Sequence, residues 1–145
     1  MTILNTVFFN NFCTPFMLLN EKFSSQSVDL EIVSGVLIVA YKVGVPITLE
    51  IAKNSVKERI EFTAGRSYPV LIRDYGISVI EKEARSYFAS TESTNGISAA
   101  AFVLKSIFSV FLGNFFIKIY PPNIPVKIFG GEEEAIKWLK QFTNS

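Results

Sequence analysis

A chain of 145 residues, 49% hydrophobic and only 19% charged, carries enough apolar side chain for one buried core, which excludes bulk disorder. Its 14 Lys and Arg nearly balance 13 Asp and Glu, so the basic surface that nucleic acid or an anionic membrane requires is missing. There is no histidine and a single cysteine, Cys13, which excludes imidazole-based catalysis, His-ligated zinc and an internal disulfide, and fits a reducing, cytoplasmic compartment.

Residues 1–20 are apolar and Phe-rich. Asn5, Asn10, Asn11 and Pro15 interrupt the run and no Lys or Arg precedes it, which is not the pattern of a secretory signal. Residues 1–26 read as an N-terminal extension, poorly ordered, with 1–16 doubtful as part of the domain. From Ser27 onward, Val28, Leu30 and Ile32 alternate with polar residues as a half-buried strand does. Ser34-Gly35 is a turn signal, and the apolar run Val36–Tyr41 suits a strand covered on both faces and paired with the first as a hairpin. Thr48 is a good N-cap. Leu49, Ala52, Val56, Ile60 and Thr63 follow at helical spacing, with Glu50, Lys53, Lys57, Glu58 and Glu61 on the outer face and Gly65 as the stop.

Tyr68–Ile72 reads as a buried strand and residues 73–76 as the loop at its carboxyl end. Ser78 with Glu81 forms a capping-box pair opening a short helix to about Phe88. Residues 90–96 are a polar loop, Ile97–Leu104 a central strand, and Ser106 starts a strongly apolar helix to about Lys118. Pro121, Pro122 and Pro125 break that helix before a last strand, Val126–Phe129. Glu132, Glu133 and Glu134 then begin a helix to about Phe142, with Lys137 and Lys140 near its end, as the helix dipole favours.

The order β-β-α-β-α-β-α-β-α predicts an α/β domain over residues 27–145, with a mainly parallel or mixed five-stranded sheet flanked by helices. The run from Ile97 to Ile117 is long enough to span a bilayer. Lys105 and Asn114 lie inside it, and a mid-membrane charge costs about 3 kcal/mol; strand followed by helix is the better reading, with no membrane span. Ile107, Phe108, Phe111, Leu112, Phe115 and Phe116 cover more than one side of that helix, more than a sheet alone can bury. Either the helix is wedged in the core between the sheet and a neighbouring helix, or the excess marks a protein partner or homodimer surface, or a Phe-lined pocket for a small apolar molecule.

Tyr68-Pro69-Val70-Leu71-Ile72, Glu83-Ala84-Arg85-Ser86-Tyr87-Phe88, Gly113-Asn114-Phe115-Phe116 and Glu134-Ala135-Ile136-Lys137-Trp138-Leu139, in this element order, resemble a family of small uncharacterised bacterial STAS-like domains over Val28–Phe142. The resemblance implies the fold of anti-sigma-factor antagonists, often grouped with CRAL-TRIO lipid-transfer domains, and no enzyme activity. The antagonists carry a phosphorylatable Ser within an Asp-Ser-Ser-Gly-like segment. The corresponding stretch here, Asp74-Tyr75-Gly76-Ile77-Ser78, lacks that motif, which leaves Ser78 as the candidate phosphorylation site or as a plain N-cap.

No Gly-rich phosphate loop is present, since Gly130-Gly131 lacks the Lys-Ser/Thr continuation. Asp74, Glu81 and Glu83 read as a solvated loop and helix start. Arg73 and Arg85 are the candidates for contact with an anion, and Trp138 has core spacing with Ala135 and Phe142. No cofactor or metal is implied. The expectation is a non-catalytic regulatory or scaffold domain, with an apolar-ligand or lipid carrier as the alternative.

Overall fold

The computed structural model describes residues 21–73, 79–105, 111, 113–114, 117–119 and 121–143. Cys13, Asp74, Ser78, Ile107, Phe108, Leu112, Phe115 and Phe116 lie outside the described residues.

The hairpin signal is realised in β2 (Val28–Val33) and β3 (Val36–Tyr41), antiparallel with Val33 opposite Val36. Ser34 (φ 52°) and Gly35 (φ 82°) both take left-handed backbone, as a two-residue turn matched to strand twist requires. A short strand β1 (Lys22–Ser24) adds to the outer edge of β2, with Ser24 opposite Asp29. The sheet therefore has six strands rather than five, and β1 lies within the segment assigned to the extension. Phe23 drives this. It points to the same side as Leu30 and packs on Phe62, ring centroids 6.2 Å apart, but three residues are too few to show an alternation.

Helix α1 (Leu49–Thr63) crosses from β3 to β4 (Tyr68–Arg73). Thr48 Oγ1 accepts from the Ile51 N–H at 3.2 Å, and Ala64 in left-handed backbone closes the far end with its N–H on Glu61 and Ile60 carbonyls. The buried stripe is Ala52, Ser55, Val56, Arg59 and Thr63, so Arg59 takes the inward place expected of Ile60. A short helix α2 (Lys82–Phe88) and the single turn α3 (Thr91–Thr94) lead to β5 (Ile97–Val103). The helix expected from Ser78 starts only at Lys82, with Glu81 at the cap and no side-chain cap bond. The cause is a parallel bridge between Ile47 and Ile80, in which Ile47 N–H donates to Val79 O (2.9 Å) and Glu81 N–H to Ile47 O (3.0 Å). That bridge holds the residues before Lys82 extended.

Residues 111, 113–114 and 117–119 are helical and precede β6 (Val126–Phe129), after which come α4 (Glu132–Leu139) and a 3-10 turn, Lys140–Phe142. The strand order is β1-β2-β3-β4-β5-β6, with β3 to β6 mutually parallel. One face carries Val28, Leu30, Ile32, Leu37, Val39 and Val70, with Phe62 of α1 packed on it. Register puts Ile128 on that face too, and a side chain at Gly113 would run into Ile128 Cδ1. The opposite face carries Val36, Ile38, Leu71, Ala99 and Ala101, covered by Ala135 and Leu139 of α4. Among the described residues, no helix is long and apolar enough to cross a membrane.

Ala99, Ala100 and Ala101 are buried in the middle of β5, and the small side chains of Ala99 and Ala101 let α4 sit close against the sheet. Replacing Ala101 by Leu should destabilise the protein by about 1–3 kcal/mol through overpacking. Adding Leu139→Ala should recover part of that loss. Fully additive costs in denaturant titrations of the two single variants and the double variant would show that α4 is not seated on Ala101.

Candidate functional site

Arg73 ends β4, where open α/β sheets commonly hold ligands. Its Nε and Nη2 both reach the Glu132 carboxylate at the start of α4, each at 2.6 Å. This bidentate pair is geometrically strong. The hydrogen bonds from Arg73 hold the Glu132 carboxyl below its ordinary range against a smaller opposing effect of burial. The guanidinium proposed as an anion contact is thus engaged on the protein's own carboxylate. Arg85 serves a different partner, donating from Nη1 to Ile80 O at 2.5 Å; the two arginines do not form one anion site. Glu81 and Glu83 are exposed.

Beside Arg73, a groove of about 360 Å³ runs along the β1–β3 end of the α4-covered face, lined by Lys22, Ser24, Asp29, Glu31, Ile38 and Arg73 among others. Its charges are matched. Lys22 meets Glu31 at 3.6 Å, Lys42 meets Asp29 at 2.7 Å, and Arg73 meets Glu132. No sign of charge is left over to select a charged ligand.

Under α1 the situation is different. Arg59 is 5% exposed and donates from Nη2 to Ser93 O (2.8 Å) and from Nη1 to Asn95 O (3.0 Å), the carbonyl end of α3, where a cation is favoured. Burial lowers its pKa, opposed by the neighbouring Tyr41 and Tyr87, yet a guanidinium stays charged at neutral pH. Ser55 Oγ donates to Ala52 O at 2.9 Å and lies 2.9 Å from the Tyr41 hydroxyl. Burial pushes the Tyr41 phenol upward. The helical pattern puts Glu50, Lys53, Lys57, Glu58 and Glu61 on the outer face of α1 and assigns Arg59 to neither face. Its place three residues after Val56 and four before Thr63, on the buried stripe, was the available signal.

On the helical residues before β6, Phe111 is 66% and Ile119 49% exposed. Asn114, between them in sequence, turns inward and donates from Nδ2 to Ile128 O at 3.4 Å. Phe111 lines neither the groove nor the space beneath α1. Trp138 packs on Phe129 and Phe142, at 5.8 and 5.0 Å between centroids, as its spacing predicts.

The depressed Glu132 pKa sets a sign. Stability from the Arg73 pair is complete above the carboxyl's ordinary 4.5 and is lost as pH falls through the lower folded value. Glu132→Gln should cost up to about 1 kcal/mol at pH 7, both groups being partly solvated. Below pH 4.5 its stability should fall less steeply than that of the parent. Parallel acid-melting profiles of the two proteins would show the pair to be inert.

No curated protein matches the chain. Among solved structures, it is similar to an uncharacterized protein from the DUF3478 family with a SpoIIAA-like fold from Shewanella loihica PV-4. The TM-score is 0.56 at 13% identity, over 83% of this chain and 91% of that one. At that identity the likeness shows the fold alone, and it is the STAS-like fold that the sequence motifs imply. A family model matches residues 30–143, and on that extent the chain belongs to the family described as Domain of unknown function (DUF7793), built here on an α/β, STAS-like fold.

Proposed function

We propose that this protein is a non-catalytic regulatory or scaffold domain that works by docking a protein partner, or a second copy of itself, through the helix before β6. The observation that carries the reading is the joint exposure of Phe111 and Ile119 on that helix. One exposed apolar residue needs no explanation. Two large ones eight positions apart fall on neighbouring sides of a helix and, with Lys118 exposed beside them, make an apolar patch edged by charge.

The absence of histidine supports a non-catalytic role, because it removes the usual proton-transfer side chain at neutral pH. The SpoIIAA-like protein whose structure is similar is itself uncharacterized, so it lends the fold and no activity.

Phe111→Asp tests the reading. Removing an aromatic anchor from an interface costs about 2 kcal/mol or more, roughly 30-fold in affinity, while an exposed position should leave the melting temperature nearly unchanged. Native mass spectrometry and cross-linking should show the parent protein in a dimer or a defined complex and the variant released from it. An assembly that survives Phe111→Asp with Ile119→Asp, or a parent that stays monomeric and uncross-linked at high concentration, overturns the proposal.

A further inference from the structure

We infer that the cavity beneath α1 is a binding site for a small monocarboxylate, whose charged head pairs with Arg59. The site is separate from the Phe111 surface, and either reading can fail without the other.

The first ground is an unbalanced charge. Among the described residues Arg59 makes no ion pair, and its partners are two neutral carbonyls. A guanidinium has five N–H donors, so three remain after those two bonds. Taking a cation out of water is costly unless an anion accompanies it. Here the fold has already desolvated one half of a pair, so an arriving carboxylate supplies the missing half. The groove beside Arg73, whose charged lining is matched throughout, shows that this is no general property of the protein.

The second ground is space and lining. Arg59, Tyr41, Ser55 and Ser93 border a cavity of about 60 Å³, walled otherwise by apolar side chains including Val39, Val70 and Phe88. At about 15 Å³ for each water-sized occupant, it takes a few small atoms at most, a carboxylate head with a short aliphatic tail. Ser55 Oγ donates to Ala52 O and lies 2.9 Å from the Tyr41 hydroxyl, so the remaining N–H groups of the guanidinium are the donors for the carboxylate.

These features select among anions. A planar guanidinium matches a planar, singly charged carboxylate in shape and charge. A phosphate dianion would need a second cation, and no other Lys or Arg lines the cavity. Halide ions gain nothing from the apolar walls.

The test uses the full chain, titrated with acetate, formate, phosphate and chloride at constant ionic strength, and follows backbone amide resonances. Acetate should give saturable shifts centred on Tyr41, Ser55, Arg59 and Ser93, with formate binding more weakly and chloride and phosphate producing none. At ten times its dissociation constant acetate should also raise the melting temperature by about 5 °C. Arg59→Met should abolish both effects. Because that variant leaves two carbonyls without their donor and risks unfolding, Ser55→Val provides a second arm: it fills the cavity and keeps the cation, and should weaken acetate about tenfold or more. Shifts that do not saturate, phosphate binding equal to acetate, or undiminished binding to Ser55→Val would each overturn the inference.

Discussion

Strand sequence and strand order coincide in this sheet, β1 through β6 in a row, with β3 to β6 parallel. Each parallel step needs a crossover, and crossovers of one hand that move in one direction along a sheet fall on the same face. That face receives α1 and the helix before β6, as Phe62 and the Gly113–Ile128 approach show. Among the described residues, the other face is covered by α4 and the 3-10 turn after it, which follow the last strand. Ala135 and Leu139 of α4 reach the alanine row of β5, and the Arg73–Glu132 pair ties the first turn of that helix to the end of β4. The groove along β1–β3 is the part of this face that lies beyond α4.

Charge is handled differently in the two places where polar groups meet. On the surface groove each cation has its carboxylate, in high dielectric, where such pairs contribute little and specify register more than stability. Under α1 one cation is held almost without water by carbonyls at the end of α3. A single turn such as α3 has little stability of its own. Arg59 anchors it to α1, and Ser90 caps it with a bond from the Ser93 N–H at 3.2 Å. The same side chain thus joins two helices and leaves a positive charge facing a small void.

The exposed Phe111 and Ile119 belong to the segment whose apolar residues exceed what one side of a helix can bury. Close approach at Gly113 and the inward bond of Asn114 to Ile128 O fix which side meets the sheet. With that side settled, Phe111 points to solvent. Outward aromatic surface and inward unbalanced charge lie on different elements.

Near-neighbour rules account for most of the architecture: alternation marks β2, the Ser-Gly turn pins the hairpin, Thr48 caps α1, and prolines end the helix before β6. Each is a property of residues within a few positions of one another, so each is legible in the chain alone. Three features were not. Strand β1 rests on Phe23 meeting Phe62, α2 begins late because Ile47 bridges Ile80, and Arg59 turns inward to carbonyls 34 and 36 residues away. In every case the partner is remote in sequence, and only the folded chain brings the two close enough for their interaction to override local preference.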